Sequence, residues 1–373
     1  MKQYEEVFFS VVRTALWKSP LEVPKGFQDW GSVMKLAKSQ AMTGLVADVL
    51  LRSPEILSTL SEKFVARLQE IPLESMGVYT ILNNTLIMVV TRLREHGIEP
   101  VLLKGQGLAS YYPVPQLRQC GDIDLYVGTE DYERTYDVLA PLATEMNDRK
   151  SLKIGKHFNL KIGSVLLEIH RYADVIISEK LNEIFQRYAL QGLTTDLDKV
   201  SLSGVDIRTP SIDFNAYYVF NHLWHHFMWS GIGVRQFCDL ACFLNTHNLN
   251  TDYLETILTD MKQMDAWHAV GGFMVEILGL DPSKVPCYAP SKKSAIDVIL
   301  GLVLQEGNFG KNSLLGRKRT KNYFVEKTIS LFGHLKRHFM IFRVFPGFVL
   351  RQLMHTFKSG FAQIFYDITS RNR

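Results

Sequence analysis

Apolar residues recur at helical spacing through the first part of the chain, residues 1–96. They are separated by three or four positions, and Leu82, Leu86 and Val89 form one such face. Clusters of β-branched residues, which would favour strands, are few here. The pattern predicts an N-terminal helical region over residues 1–96.

The pattern changes to short apolar runs in the next part of the chain. Residues 98–104 form a run that contains a proline and is followed by glycines, which is typical of a buried strand. A second strand is predicted at residues 122–127, and segments 158–161 and 165–170 alternate as the two arms of a hairpin. These elements predict a mixed α+β core over residues 97–190.

Helical periodicity returns after Asp174 and is interrupted once, at residues 201–208, where a short hairpin is expected. We therefore expect a helical region with a short hairpin over residues 191–310, and a basic helical C-terminal region over residues 311–373. The predicted fold class is α+β, with a small mixed β-sheet core flanked by N- and C-terminal helical regions.

Composition is that of a globular chain, with 46% hydrophobic and 21% charged residues. Charged residues such as Glu5 and Arg13 interrupt the N-terminus, which therefore does not resemble a signal peptide. No transmembrane segment is expected, because no run of 18 apolar residues lacks a charge. The four cysteines form no CxxC pair, which favours reduced thiols. We expect a cytoplasmic protein.

Positive charge is concentrated at the C-terminus. Residues 311–373 hold 13 Lys and Arg against two acids, whereas the whole chain has a net charge of +4. Phenylalanines are interleaved with these basic residues. The pattern predicts contact with nucleic-acid phosphates or with an anionic membrane surface, and the alternative is a solvated helical face. No nucleic-acid-binding motif accompanies the charge.

Two carboxylates lie two positions apart in the second predicted strand. Asp122 and Asp124 should project from one face while Ile123 and Leu125 project from the other. Adjacent anions repel unless a cation lies between them, and hard oxygen ligands select Mg²⁺ or Mn²⁺. The alternative is a solvated strand edge without a metal.

A glycine turn precedes these acids. After the first strand, Gly105 begins a turn whose backbone N–H groups and following helix start could bind phosphate. Lys104 either contacts phosphate or ends the strand, and Arg118 either binds phosphate or pairs with Asp122. The candidate nucleotide-binding and phosphate-binding residues are Lys104, Gly105, Gln106, Gly107 and Arg118.

A third acid occurs in the hairpin. Glu168 alternates with Leu167 and Ile169 and would project from the face of the sheet opposite to these two residues. It is either part of the site or a surface acid paired with Lys161 or Arg171. Three carboxylates, a glycine turn and an arginine are the components of a two-metal phosphoryl-transfer site.

These motifs resemble those of the uncharacterised nucleotidyltransferases of the DNA-polymerase-β superfamily, the NTP_transf_5 group. The resemblance extends from about Leu82 to Asp239. The motifs that carry it are LLKG at 102–105, LR at 117–118, GDIDL at 121–125 and LEIH at 167–170.

The resemblance implies a metal-dependent nucleotidyltransferase. In such an enzyme the glycine turn holds a nucleoside triphosphate, Asp122 and Asp124 bind two Mg²⁺ or Mn²⁺ ions, and Glu168 is the third acid, which helps to activate an acceptor hydroxyl. A nucleoside monophosphate is transferred and pyrophosphate is released. The resemblance also implies that His226 or Asp239 lines the cleft.

Two other functions remain open at the level of sequence. One is a catalytically silent protein that keeps the fold and acts as a binding module, since fold alone does not determine function. The other is a toxin or defence nucleotidyltransferase that acts on RNA or protein. The acceptor and the preferred base do not follow from the sequence.

Overall fold

The computed structural model describes residues 1–153, 155–308 and 337–350. Two short helical segments, 337–342 and 346–350, end the described chain. The helices before these segments are α1 (Gln3–Trp17), α2 (Trp30–Ser39), α3 (Thr43–Leu51), α4 (Pro54–Leu57), α5 (Glu62–Glu95), α6 (Gln106–Ala109), α7 (Tyr132–Leu139), α8 (Glu179–Thr194), α9 (Ile212–Trp229), α10 (Val234–Thr246), α11 (Thr251–Asp260), α12 (Met264–Glu276) and α13 (Lys293–Glu306). The strands are β1 (Val101–Leu102), β2 (Asp122–Tyr126), β3 (Glu145–Met146), β4 (His157–Ile162), β5 (Val165–His170), β6 (Asp198–Leu202) and β7 (Val205–Thr209).

The strands form one mixed sheet in the order β3-β4-β5-β2-β1-β7-β6. Strand β2 is parallel to β5 and β1 is parallel to β7, whereas the other neighbouring pairs are antiparallel. The hairpin expected near residues 201–208 is present as β6 and β7. Its pairing with β1, through Val101 and Arg208, extends the sheet of the core. The α+β class predicted from the sequence is confirmed.

The two faces of the central strands differ in chemistry. Ile123 and Leu125 on β2, with Leu167 and Ile169 on β5, are fully buried in a core shared with α5 and α7. The residues between them along each strand face the other side, because successive side chains of a strand alternate. The acids at positions 122, 124 and 168 therefore share one face of the sheet.

A second core joins the N-terminal helices to the C-terminal helices. Phe9 on α1 contacts Phe273 on α12 with ring centroids 6.5 Å apart. Near the end of α1, the indole Nε1 of Trp17 donates a hydrogen bond of 2.6 Å to the carbonyl oxygen of Leu278. The helices before and after the sheet in sequence thus form a single hydrophobic cluster.

Helix α5 contributes to both cores. It has 34 residues, and its N-cap Ser61 accepts a hydrogen bond from the Phe64 N–H. Leu68 packs into the helical core, whereas Leu86 and Leu93 pack under the sheet. Among the described residues, α5 has the length and the apolar composition of a membrane-spanning helix. These properties also fit a helix that serves two cores.

The basic C-terminal region predicted over residues 311–373 lies mostly outside the described residues, as do the nucleic-acid or membrane contacts expected of it. Its described part, 337–350, packs on α9. Arg337 pairs with Glu306 and donates to the Phe227 carbonyl oxygen. Phe345 contacts Trp224 with ring centroids 5.0 Å apart. Arg337 and Phe345 are thus engaged inside the molecule.

Candidate active site

The three acids predicted from the sequence lie together on the sheet. Strands β2 and β5 are parallel neighbours, and their register places Asp124 directly beside Glu168. Asp122 precedes Asp124 by two residues and projects from the same face. Asp124 is 3% exposed, while Asp122 and Glu168 are partly exposed. The arrangement forms a cluster of three carboxylates with a buried side and an open side.

A lysine is paired with the buried acid. The Nζ atom of Lys104 lies 3.1 Å from Oδ1 of Asp124 and 3.5 Å from Nε2 of His222 on α9. Strand β1 positions Lys104, because Leu103 donates its backbone N–H to the Asp124 carbonyl oxygen. Lys104 was expected either to contact phosphate or to end the strand; the structure adds a direct ion pair with an acid of the site.

Two histidines complete the acid cluster. His170 Nε2 lies 3.1 Å from Oδ1 of Asp124 and 3.6 Å from Oε2 of Glu168. His157 on β4 lies 4.0 Å from the same Glu168 oxygen. The ligand atoms of His157, Glu168 and His170 all lie within 4.8 Å of one another, a grouping that could hold a metal ion. Glu168 thus faces histidines, and the expected alternative pairing with Lys161 or Arg171 is absent; Lys161 pairs with Glu145 instead.

Charges in the cluster are unequally balanced. Burial and the nearby charge of Asp124 raise the pKa of Asp122. Burial would also raise the pKa of Asp124, but the Lys104 charge and the hydrogen bond with His170 outweigh it and lower that pKa. The nearby imidazole of His170 lowers the pKa of Glu168 despite its burial. The Asp122 carboxylate is therefore the least compensated of the three.

The glycine turn lies against the acid strand. Gly105 has φ +58° and ψ −117°, a conformation that side chains disfavour. A Cβ atom there would lie 3.4 Å from the Asp122 carbonyl oxygen and 3.4 Å from the Cys120 sulfur. The following helix, α6, is short, as the sequence predicts: it has four residues, so its dipole is small. Phosphate binding here would rest mainly on backbone N–H groups.

The other two residues of the turn are buried. The side chain of Gln106 is inaccessible, and its Nε2 atom has no hydrogen-bond partner among the residues described. Gly107 lies close to Leu102 and Thr209, with room for a Cβ at 3.5 Å from each. Both residues are therefore packed inside the protein, and only their backbone could contact a ligand.

Arg118 pairs with an acid other than the one considered from the sequence. Its Nε and Nη2 atoms donate to the two carboxylate oxygens of Asp239 at 2.7 and 2.8 Å. The hydroxyl of Tyr112 donates to the same carboxylate at 2.7 Å. Arg118 and Asp239 are 5% and 4% exposed. Asp239, expected to line the cleft, is thus a buried anchor that holds Arg118.

His226 lies near the site through His222. The two rings, one helical turn apart on α9, have centroids 4.5 Å apart, and His226 Nδ1 contacts the Ser230 hydroxyl at 2.7 Å. Burial and the Lys104 charge lower the pKa of His226 to about 4. The ring is therefore held neutral at neutral pH.

Sequence reasoning did not select His157, His170 or His222 for the site. His170 carried a usable signal, because it follows Glu168 by two positions and so projects from the same face of β5. His222 lies one helical turn before His226, which the resemblance places at the cleft. Its contact with Lys104 spans 118 positions and follows only from the fold.

The donor atoms fit a divalent cation. Three carboxylates that disfavour one another's ionised form are relieved when a cation binds between them, and their oxygens suit Mg²⁺ or Mn²⁺. The imidazole nitrogens of His157 and His170 beside them are ligands that transition metals such as Mn²⁺ accept more readily than Mg²⁺ does. The site is chemically suited to bind a metal together with a phosphorylated ligand.

Comparisons with solved structures find distant nucleotidyltransferases. The crystal structure of ANT(2″)-Ia in complex with adenylyl-2″-tobramycin has 10% sequence identity and a TM-score of 0.35, and the match covers 49% of this chain and 98% of that chain. The solution structure of the antibiotic-resistance factor ANT(2″)-Ia has 13% identity and a TM-score of 0.35, covering 50% and 94%. An antigenic nucleotidyltransferase-like protein from Paracoccidioides brasiliensis has 14% identity and a TM-score of 0.34, covering 58% and 95%.

No curated protein matches the sequence. A family model described as an uncharacterised nucleotidyltransferase matches residues 27–279, which include the glycine turn, all three acids and helix α9. This segment is more than half of the chain. The chain therefore belongs to the family of uncharacterised nucleotidyltransferases.

Proposed function

We propose that the protein transfers a nucleoside monophosphate from a nucleoside triphosphate to an acceptor hydroxyl. Family membership supports nucleotidyl transfer in general. The observation that carries the specific proposal is the register of β2 and β5, which aligns Asp124 with Glu168 and leaves Asp122 on the open side. Three carboxylates beside a glycine turn suit a nucleotide that is bound with its metal ions.

In the proposed reaction the acceptor oxygen forms a bond to the α-phosphorus of the triphosphate. The bond between that phosphorus and the bridging oxygen of the pyrophosphate breaks, and pyrophosphate leaves with the bonding electrons. The hydroxyl proton passes to the Glu168 carboxylate and from there to solvent. Divalent cations held by Asp122, Asp124 and Glu168 would neutralise charge on the entering and leaving oxygens.

The remaining side chains of the site position these groups. His170 contacts both Asp124 and Glu168, so it fixes the spacing of the two acids. Lys104 neutralises Asp124 in the ligand-free protein and can turn to the phosphates when a cation takes its place. The backbone of the Gly105 turn, pressed against β2, would hold the triphosphate close to the acids.

The Lys104–Asp124 ion pair also favours a second candidate, a silent binding module. A lysine that permanently neutralises the buried acid would leave fewer negative charges for a metal. In that protein a ligand would bind without requiring a cation. The two candidates therefore differ in whether triphosphate binding depends on Mg²⁺.

The test is thermal unfolding with each nucleoside triphosphate, with and without Mg²⁺ or Mn²⁺. Wild type is compared with Asp122→Asn and Asp124→Asn, each measured against its own ligand-free midpoint. Ligand at a hundred times its Kd stabilises the folded state by about 2.7 kcal/mol, so a clear rise in Tm is expected for wild type only when the metal is present. The rise should be lost in both variants.

Asp206→Asn is the matched control, because Asp206 is an exposed acid of the same sheet paired with Lys199. It should keep the full metal-dependent rise. A rise in Tm that needs no metal, or that survives in Asp122→Asn and Asp124→Asn, would favour the silent binding module. A metal-dependent rise also names the nucleotide, after which pyrophosphate release can be followed directly.

A further inference from the structure

A cavity of about 600 Å³ lies beside the candidate active site. One face of helix α5 forms a wall of it, and α2, the start of α3 and the segment Arg118–Cys120 form the others. Phe64, Leu68 and Val78 are among its apolar lining residues. A space of this size holds a small molecule, or one terminal unit of a larger one.

The cavity adjoins the acids through Cys120. Cys120 lines the cavity, and its sulfur lies 3.5 Å from the carbonyl oxygen of Asp122. The same sulfur is 3.4 Å from the position that a Cβ atom on Gly105 would take. A molecule in the cavity would therefore be separated by the Cys120 side chain from the glycine turn and from the backbone of Asp122.

The polar lining of the cavity is mainly cationic. Lys35 and Lys38 lie on the exposed side of α2, and within the described part of the chain their ammonium groups form no ion pair. Arg118 also lines the cavity, but its charge is already compensated by Asp239. The acidic lining residue Glu74 is neutralised by Arg67, at 2.8 Å.

These features suit one class of ligand. An apolar body would replace water along the wall formed by α5, while an anionic group would compensate Lys35 and Lys38. A polycationic ligand would instead bring further positive charge against these two lysines, which costs free energy in a partly enclosed space.

We propose that this cavity binds the acceptor, and that the acceptor is a small molecule with a carboxylate or phosphate group and an aromatic or aliphatic body. The acceptor role rests on the proposed nucleotidyl transfer, in which the acceptor hydroxyl must reach the nucleotide beside Asp122. The ligand class rests on the cavity alone.

Binding of matched fragments tests the ligand class. Phenylacetate, 4-hydroxyphenylacetate and phenyl phosphate are compared with phenethylamine and tyramine by ligand-observed NMR on the full chain, without nucleotide or metal. The carboxylate and phosphate fragments should bind and compete with one another, whereas the amines should bind at least tenfold more weakly, a difference of about 1.4 kcal/mol. Lys38→Glu should weaken binding of the anionic fragments about fivefold. Lys63→Glu, at an exposed position on α5 outside the cavity lining, should leave it unchanged.

A second pair of variants tests whether the fragments bind in the cavity. Val78, 49% exposed, lines the cavity, whereas Met76, 41% exposed on the same helix, does not. Val78→Trp should fill the cavity and weaken binding of the carboxylate and phosphate fragments at least tenfold. Met76→Trp should leave their binding unchanged. Both positions tolerate bulk because each side chain already reaches solvent.

The outcomes separate this proposal from the proposed function. The ligand class is overturned if no anionic fragment binds, if the amines bind equally well, or if Val78→Trp binds the anionic fragments as tightly as wild type does. If the anionic fragments compete with the triphosphate and Val78→Trp also abolishes metal-dependent triphosphate binding, the cavity binds the nucleoside and the acceptor role is overturned. If the anionic fragments bind as expected but no triphosphate binds with metal, the proposed nucleotidyl transfer is overturned while the ligand class proposed for the cavity is supported.

Discussion

Arg118 and Asp239 form an ion pair that is almost entirely removed from solvent. The guanidinium binds both carboxylate oxygens, and the Tyr112 hydroxyl completes the shell of the carboxylate. Burial would raise the pKa of Asp239, but the Arg118 charge and its hydrogen bonds hold that pKa below the ordinary value. The pair fixes the segment before β2, since Arg118 lies four residues before Asp122.

Asp239→Asn should destabilise the protein strongly. The substitution leaves the Arg118 guanidinium buried without a countercharge, which costs roughly 3–5 kcal/mol in comparable buried pairs. Denaturant unfolding measures this change. Asp206→Asn, which breaks an exposed pair with Lys199, should cost less than about 1 kcal/mol. Equal effects of the two substitutions would show that solvent reaches the Arg118–Asp239 pair in solution.

At the residue scale, the sequence predicted the acids but not their partners. Asp122, Asp124 and Glu168 follow the two-residue period of a strand, which is visible locally. The roles considered for Arg118 were phosphate binding or pairing with Asp122, and its partner is Asp239, 121 positions away. No local period connects residues that distant, so only the tertiary fold could reveal the pair.

At the scale of elements, the turn between β1 and α6 is the most constrained backbone near the acids. Gly105 combines a positive φ with ψ −117°, which is outside the left-handed helical region. Gly163, in the turn between β4 and β5, has nearly the same φ of +59° but has open space around it. Alanine substitution at the two positions therefore distinguishes the effect of a positive φ alone from the effect of contact with strand β2.

Gly105→Ala should lower both stability and triphosphate binding. Strain of this kind costs about 1–3 kcal/mol, and relief of it would move the turn, which the added methyl group would bring into contact with the Asp122 carbonyl oxygen and the Cys120 sulfur. The measurements are Tm and the metal-dependent rise in Tm with triphosphate. Gly163→Ala should cost about 1–2 kcal/mol and leave the rise intact. An intact rise in Gly105→Ala would exclude this turn from phosphate binding.

The elements themselves were predicted with uneven success for physical reasons. Both hairpins followed from alternation and glycine turns, which are local signals. The pairing of β7 with β1 did not, because β1 has only two residues and the partners are more than a hundred positions apart. The shortness of α6 was predicted correctly, because Pro113 and Pro115 follow it closely and cannot continue a helix.

At the scale of the whole molecule, the helices before and after the sheet form one core. From the sequence, residues 1–96 and 191–310 are predicted as separate helical regions, because periodicity shows which face of a helix is apolar but not what covers it. Here α1 lies against the end of α12 and the residues after it. Besides the Trp17 bond, Arg13 Nη1 donates to the Ile277 carbonyl oxygen at 3.2 Å.

A close approach at Gly279 gives a direct test of this contact. Gly279 has φ +72°, and a Cβ there would lie 2.9 Å from Cδ of Arg13. Gly26 has φ +77° with open space around it. Both alanine substitutions incur about 1–2 kcal/mol for the backbone conformation. Gly279→Ala should cost about 1 kcal/mol more, because Arg13 must move and its hydrogen bond to Ile277 is lost.

The additional cost should vanish in an Arg13→Ala background. Truncation of Arg13 removes the atoms that the new methyl group would meet, so Gly279→Ala and Gly26→Ala should then destabilise the protein equally. Denaturant unfolding of the two single variants in both backgrounds gives this double-mutant comparison. A cost of Gly279→Ala that is unchanged by Arg13→Ala would mean that α1 does not lie against Gly279 in solution. An additional cost that disappears would show that α1 and the residues after α12 are stabilised as one body.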